Sequence, residues 1–282
     1  MNCLAIRKFV LIWRCSYGKV GYMHGANNHA PEALENMRRA VVIMEELAAA
    51  DPNNPKIQAD LALSYDRVAE ILTGLTANHS EALLLMRKAQ TIGEKLAAAD
   101  PLNTQLRRGQ AVGDFNVALV SAKLGDTKTG LDSSREALSI FKEMSSADPQ
   151  NEEFRQGVVH VQTFVCEMMI KNGEAAEAIK LLKESLVTLE RSFAASPTDE
   201  IAHFRIAILE AGLGQGYVAM ASDQKTPAEK RLAHWREARS WYQKSKEIYQ
   251  QFLDAGKLTG EDADRLKVVV EEIARCDAAI AG

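Results

Sequence analysis

The side chains that most often carry catalysis or bind metals are scattered through this sequence. The two histidines of an H-E-x-x-H zinc motif do not occur, and no histidine pairs with a nearby cysteine. The carboxylates of Glu45 and Glu46 are adjacent on a predicted helix, so they diverge by about 100°. We therefore predict no catalytic residue, no metal ligand and no cofactor, and we expect a protein that is not an enzyme. The alternative is a helical enzyme, which would need a pocket with shifted ionisable groups. The six histidines are His24, His29, His79, His160, His203 and His234.

The cysteines and one glycine-rich run also lack a chemical pattern. The four cysteines show no C-x-x-C pair, so neither a disulfide framework nor a zinc site follows. The run Gly212, Gly214 and Gly216 has no strand before it and no Lys-Ser/Thr after it, as a phosphate loop would. We interpret these glycines as a kink or a close backbone contact.

Charge and hydropathy limit the partners. The formal net charge is −4, and no run of five or six Lys/Arg occurs, so we predict no nucleic-acid partner. Near the start, the uninterrupted apolar run is only Phe9 to Trp13, too short for a signal-peptide core or a membrane span. We expect a cytoplasmic protein, or an extracytoplasmic one if the segment belongs to a membrane-spanning parent chain.

The strongest feature is an internal repeat. Asp-Pro or Ser-Pro pairs recur at Pro52, Pro101, Pro149 and Pro197, in steps of 49, 48 and 48 residues. The stretch from Glu32 to Pro52 matches 81–101 at fourteen of 21 positions. Such a period is typical of helical repeat proteins, in which each unit packs on the next.

Each unit reads as two helices. In the first helix of one unit, apolar residues are spaced three and four apart between Ile57 and Leu72. We expect N-caps two residues after each proline and turns near three glycines. The expected N-caps are Asn54, Asn103, Asn151 and Asp199, and the expected turns lie near Gly74, Gly125 and Gly173. The second helix carries a column of small residues that allows close packing: Ala40, Ala89, Ala137 and Ser185.

The repeat predicts one helical domain over residues 1–282. Its units cover about 4–50, 51–99, 100–147, 148–195 and 196–255, and residues 1 to about 10 match no other unit. In the last unit, Thr226 to Glu229 has the form of a capping box before a long aromatic-rich helix. A helix over about 259–281, apolar on one side and charged on the other, is predicted to cover the end.

The helix pairs resemble the tetratricopeptide repeat, whose 34-residue unit has a small-residue column and a closing proline. Here Pro101 lies 12 residues after Ala89, where the family has about five, so both helices are predicted to be about two turns longer. The resemblance implies an all-α fold, a right-handed α-solenoid of antiparallel helix pairs with a C-terminal capping helix.

A closer resemblance is to the repeat region that follows the catalytic domain in some large bacterial serine/threonine protein kinases. It is carried by Ser64 to Val68, by the two Leu-Ala-Ala-Ala-Asp-Pro stretches, and by Glu237 to Tyr242 with Ile273 to Asp277. It covers roughly residues 12 to 282. The kinase motifs are lacking, because Asp114-Phe115-Asn116 has no glycine at its third position. The resemblance implies the tail of such a kinase, or a stand-alone relative.

These observations predict a module for protein–protein interaction, with a protein or peptide as partner. The alternative is a spacer or oligomerisation segment of a parent kinase, and the oligomeric state stays open. In helical-repeat receptors the first helices line the concave face. Tyr17 and Tyr65 occupy equivalent positions in the repeat, and the residues two after this column are therefore the candidate partner-binding residues: Lys19, Arg67, Asn116 and Phe164. Their cationic and amide groups suit a peptide carboxylate or backbone. The simpler interpretation is an exposed polar stripe that binds no ligand.

Overall fold

Helices make up all of the regular structure in the part of the chain that can be described. The computed structural model describes residues 30–258 and 260–282. Its helices are α1 (Ala30–Ala50), α2 (Pro55–Leu75), α3 (His79–Ala99), α4 (Thr104–Lys123), α5 (Thr127–Ala147), α6 (Glu152–Lys171), α7 (Ala175–Ala195), α8 (Glu200–Ser222), α9 (Ala228–Asp254) and α10 (Glu261–Ala281). They confirm the predicted all-α class and the helix pairs of about 48 residues.

The Asp-Pro turns explain why the same residues recur at each helix start. The side-chain oxygen of Asn54 accepts hydrogen bonds from the backbone N–H groups of Lys56 and Ile57, at 3.2 and 3.3 Å. Its amide also donates to the carboxylate of Asp51 at 2.9 Å. The equivalent residues of the next units cap their helices in the same way: Asn103, Asn151 and Asp199. The predicted N-caps are confirmed, because each satisfies backbone donors that the first helical turn leaves free.

All three predicted turns are confirmed, but only two of them place the glycine in the left-handed position. Gly125 and Gly173 adopt the left-handed conformation, with φ of 79° and 87°. Gly74, by contrast, lies inside α2, and the left-handed residue after that helix is Ala77, with φ of 50°. The helix continues past Gly74 because the residues up to Leu75 keep their helical hydrogen bonds. An alanine therefore occupies a conformation that a Cβ disfavours.

The predicted capping box before α9 is also wrong. Pro227 occupies the N-cap position, and no side chain bonds to the first turn of the helix. Proline has no side-chain acceptor, so its place at the cap excludes the reciprocal pair of bonds. At the C-terminal helix, α10 begins at Glu261 after Gly260, while the predicted start at Thr259 lies outside the described residues.

The chain divides into two compact units, Met1–Ile92 and Gly93–Gly282, with the division inside α3. In the described part of the first unit, the Tyr65 hydroxyl of α2 donates to the Glu45 carboxylate of α1 at 2.6 Å. The ammonium of Lys88 on α3 lies 5.0 Å from the centre of the Tyr65 ring. The tyrosine predicted from the repeat therefore contacts side chains of both neighbouring helices.

The second unit stacks each helix on the next one along the chain. Contacts join α4 to α5, and so on in order to α9 and α10, and α6 also contacts α8. The partners run antiparallel: on α8 and α9, Ser245 bonds to the Ala207 carbonyl while Tyr242 lies at Gly214. This sequential stacking of antiparallel pairs is that of an α-solenoid.

Helix α10 covers the end of the second unit, as predicted. It buries Val269 and Cys276 against α9 and α8, in a cluster that includes Tyr242 and Tyr249. Its other side carries exposed charged residues such as Lys267 and Glu271. Across residues 30–258 and 260–282, no helix combines the length and apolar character needed to cross a bilayer.

Candidate functional site

A trough runs along α8 in the second unit. It is an open cavity of about 780 Å³, with α8 as its floor, α6 as one wall and α10 as the other. Its floor residues are spaced three and four apart, as one helix face must be. They are Ile208, Ala211, Gly212, Gln215, Ala219 and Ser222. At 1.5 Å per residue, the span from Ile208 to Ser222 is about 21 Å.

The trough exists because its floor is made of small residues. Gly212 lies 48 residues after Phe164, at the position where earlier units carry Asn116 and Arg67. A Cβ added at Gly212 would lie 3.4 Å from both terminal methyl groups of Leu182, an ordinary contact. A larger side chain at Gly212 would press on Leu182, which also lines the trough. At this repeat position the lining therefore consists of bare α8 backbone beside Leu182.

The other two glycines of α8 hold the floor against its neighbours. A Cβ at Gly214 would come within 2.8 Å of the Tyr242 ring, and one at Gly216 within 2.7 Å of Ile179. Glycine is thus required where large side chains of α9 and α7 lie directly on the α8 backbone. Of the two interpretations of this run, the close backbone contact is confirmed, and α8 is a continuous helix.

Charged side chains line the walls above an apolar floor. Glu167 of α6 pairs with Lys171 at 2.7 Å, and Arg265 of α10 pairs with Asp262 at 3.2 Å. Glu272 of α10 also has a partner on its own helix, since a guanidinium nitrogen of Arg275 lies 3.4 Å from its carboxylate. These pairs are half exposed and lie within one helix each, so they hold the walls only weakly.

The ionisable groups at the bottom of the trough stay protonated. Burial raises the pKa of the Cys166 thiol to about 12, and it raises the pKa of the Tyr249 hydroxyl to about 12. Burial also raises the pKa of Tyr242, and the Glu272 carboxylate adds to that shift. Thiols and phenols that hold their protons are weak nucleophiles. The arrangement is therefore suited to binding through surface contacts and hydrogen bonds.

The residues predicted for partner binding lie elsewhere. Lys19 is outside the described residues. Arg67 is exposed on α2 in the first unit and pairs with Glu70 at 2.9 Å. Asn116 is half-buried on α4, and Phe164 is half-buried on α6 with its ring edge-on to Phe115, at 5.3 Å between centroids. The lining of the trough includes none of these residues, although it includes Gly212, the next position of their repeat column. Their binding role stays a prediction.

Three of the histidines that the structure describes, His160, His203 and His234, contact aromatic rings. His160 lies edge-on to Phe115, with 5.1 Å between ring centroids, and His203 stacks on Phe193 at 4.6 Å. The pKa of His160 is lowered, first by burial and then by the charges of Arg205 and Arg265. Within the described residues no three His, Cys, Asp or Glu side chains converge as a metal site would require.

Sequence reasoning missed the residues that form the trough. Tyr242 and Glu272 belong to α9 and α10, for which the repeat offers no aligned equivalents. One signal was present in the sequence: Gly212 breaks a column that otherwise carries a side chain in each unit. A missing side chain in a column that faces the groove indicates an opening.

No family model and no curated protein matches the chain. Among solved structures it is similar to BtubC (BKLC) from P. vanneervenii, with 15% identity, 90% of this chain and 92% of that chain covered, and a TM-score of 0.48. It is also similar to a monomeric mutant of IFIT1 with Gppp-AAAA, with 17% identity and a TM-score of 0.33. That alignment covers 86% of this chain and 46% of the other, so the chain spans under half the length of IFIT1. Neither likeness is close enough to assign a role to any residue.

Proposed function

We propose that the protein is an interaction module that binds a segment of a partner polypeptide in the trough along α8. The observation that carries the proposal is the open cavity of about 780 Å³ between α6 and α10, with small residues such as Gly212 at its floor. Ligand sites are commonly apolar clefts of about 300–1,000 Å³ with a few polar groups. The trough has both features.

The shape of the trough favours a polypeptide over a compact small molecule. A length of about 21 Å matches four turns of a helix, or about six residues of extended chain. The floor is open to solvent along one side, as a site for a helix or strand of another protein must be. Ala211 and Gly212 at its centre let a partner backbone come close to α8.

We further propose that this module belongs to a bacterial serine/threonine kinase system. Support comes from the sequence alone, through Ser64 to Val68 and Glu237 to Tyr242, which resemble the repeat tails of such kinases. The DNA upstream of Met1 tests this. A continuous reading frame with a Gly-rich loop, an H-R-D loop and a D-F-G would support a tail, and an unrelated frame would contradict it.

Binding in the trough can be tested by selecting random 15-residue peptides on the immobilised full-length chain. We expect enriched peptides that bind the wild type and lose at least about tenfold in affinity for Gly212→Phe, because that side chain fills the floor; tenfold corresponds to about 1.4 kcal/mol. Phenylalanine already occupies the equivalent position in the preceding unit, at Phe164. A circular dichroism melt establishes that the variant folds.

The matched control is Val187→Phe, which adds an aromatic ring at an exposed position of α7 outside the trough lining. It should leave peptide binding unchanged. If the two variants weaken binding equally, or if neither does, the trough is not the binding site.

A further inference from the structure

Tyr242 is a buried tyrosine whose hydroxyl is left unpaired. The residue is 4% exposed and lies at the bottom of the trough. Its hydroxyl makes no hydrogen bond within the described residues. The oxygen is also not fully buried, so it opens on the cavity that Tyr242 lines. Tyr249 lies two turns further along the same helix and has the Ser245 hydroxyl beside it. A hydroxyl that opens on a cavity and has no protein partner is free to bond to water or to a bound group.

The packing of the ring fixes where this hydroxyl lies. The ring rests on the α8 backbone at Gly214, where even a Cβ would collide with it. Across the trough, the charged groups that act on the hydroxyl are Glu272 and Arg275 of α10. Tyr242 and Glu272 thus line the same trough, and the Glu272 charge acts on the hydroxyl.

Hydrogen-bond acceptors are in excess at this level of the trough. Glu167 of α6 occupies the same place in its unit as Gln215 of α8, 48 residues later, so both lie at one height. Glu272 faces them from α10, close enough for its charge to act on Tyr242. Two carboxylates, an amide and a hydroxyl thus line the trough together. Such a set matches a cationic donor.

The cations already present hold these carboxylates loosely. Lys171 and Arg275 reach Glu167 and Glu272 from one turn away on the same helices, and both are about half exposed. Arg275 also lies over the ring of Trp235, 5.6 Å from its centroid. Ion pairs of this exposed kind contribute little stability, so either side chain can turn aside for a competing cation.

Apolar surface lies next to the acceptors. Val268 of α10 is 54% exposed on one wall, and Ile170 of α6 lines the other. Lysine and arginine have long methylene stems that pack on apolar surface while their charged ends reach polar groups. A basic side chain therefore matches both parts of the trough, the apolar walls and the acceptors at Tyr242.

We propose that the trough binds a partner segment in which a lysine or arginine stands between apolar residues, and that this basic side chain bonds to Tyr242 and Glu272. The inference rests on the proposed function, since it names the class of polypeptide that the trough takes. The stem lies along Val268, and the charged end donates to the hydroxyl and to the carboxylate. An acidic segment would meet the three carboxylates of the lining, while the two guanidinium groups there, of Arg265 and Arg275, are already paired within α10.

The peptides selected on the full-length chain test the inference. We expect those that depend on the open floor at Gly212 to share a Lys or Arg flanked by apolar residues. Replacing that residue by norleucine should weaken binding to the wild type about tenfold or more, as expected for a charged hydrogen bond. The same replacement should change binding to Glu272→Gln less than about twofold, because the charge partner is already gone. Glu184→Gln, an exposed carboxylate of α7, should behave as the wild type does.

Tyr242→Phe provides a second readout. We expect it to weaken the basic peptides several-fold while leaving the melting temperature of the free chain unchanged or higher, because no protein hydrogen bond is lost. A lower melting temperature would show that the hydroxyl is paired within the protein, which overturns the proposal.

The peptide selection distinguishes a failure of this inference from a failure of the proposed function. Floor-dependent peptides without a basic preference would overturn the inference and leave the proposed function in place. The absence of any floor-dependent peptide would overturn both.

Discussion

The ring of Tyr242 lies directly on the backbone of Gly214, where a Cβ would come within 2.8 Å of three ring atoms. This contact sets the distance between α8 and α9, and it directs the tyrosine into the trough. We predict that Gly214→Ala destabilises the protein by about 1–3 kcal/mol, because the ring must move in a packed interior. Urea denaturation measures the loss.

The matched control for that change is Gly109→Ala. Gly109 also lies inside a helix, α4, but a Cβ there would meet nothing within 4 Å. The Gly109→Ala variant should be more stable than the wild type by about 0.5–1 kcal/mol, because alanine has the higher helix propensity. If both alanines have the same sign of effect, the close approach at Gly214 is not what constrains that position.

Glu210 gives the stability a pH dependence. It is 5% exposed on α8, one carboxylate oxygen has no hydrogen bond within the described residues, and burial raises its pKa to about 7. Lys244 lowers this pKa, while Glu190 and Glu247 raise it further. A raised carboxyl pKa means that the folded state holds the proton more tightly than the unfolded state. The contribution of Glu210 to the stability is therefore fully present below about pH 4.5 and is lost as the pH rises through about 7.

We predict that Glu210→Gln removes this dependence. At pH 8 the variant should be more stable than the wild type by about 2 kcal/mol, as a shift of two to three pKa units implies with some discount for solvent. At pH 5 the difference should be much smaller. Urea midpoints of both proteins at the two pH values make the test, and a difference that does not vary with pH would contradict it.

Ala77 and Gly125 occupy corresponding turns with left-handed backbone, at φ of 50° and 79°. Ala77→Gly should stabilise the protein by up to about 1 kcal/mol, because glycine adopts this conformation without a Cβ penalty. Gly125→Ala should destabilise it by a similar amount. Thermal melts of the two variants should therefore shift in opposite directions, and shifts of one sign would contradict the account of these turns.

The polar stripe predicted from the sequence offers a rival binding surface. We predict that Arg67→Glu combined with Asn116→Ala leaves the affinity of the selected peptides within about twofold, because neither side chain lines the trough and Arg67 is paired with Glu70. Fluorescence anisotropy with a labelled peptide measures the affinity of the double variant. Loss of binding in this double variant, with Gly212→Phe unaffected, would favour the stripe.

Local signals made most of the fold predictable. Helix caps such as Asn54 act over three residues, and Asp-Pro turns recur at nearly constant spacing, so the helix pairs could be placed from sequence. Gly74 is not the residue that closes α2, and Thr226 does not cap α9, because the helix hydrogen bonds extend past Gly74 and begin after Pro227. Propensity alone does not decide such boundaries.

The candidate site was less predictable because it depends on residues that the repeat does not align. The trough needs Gly212, whose missing side chain was visible in the sequence, but it also needs α10 as a wall. The place of Glu272 in the lining follows from how α10 packs on α9, which no spacing in the sequence specifies. Tyr242 likewise acquires its role only through contact with Gly214.

The most direct test of the central claim places a photocrosslinking residue in the trough. Benzoylphenylalanine at Val268, an exposed wall position, should crosslink to a selected peptide on irradiation, and the same residue at Val187 on α7 should not. Mass spectrometry identifies the joined fragments. Crosslinking at Val268 that excess unlabelled peptide abolishes is the predicted result. Crosslinking at Val187 but not at Val268 would contradict the assignment of the trough as the binding site.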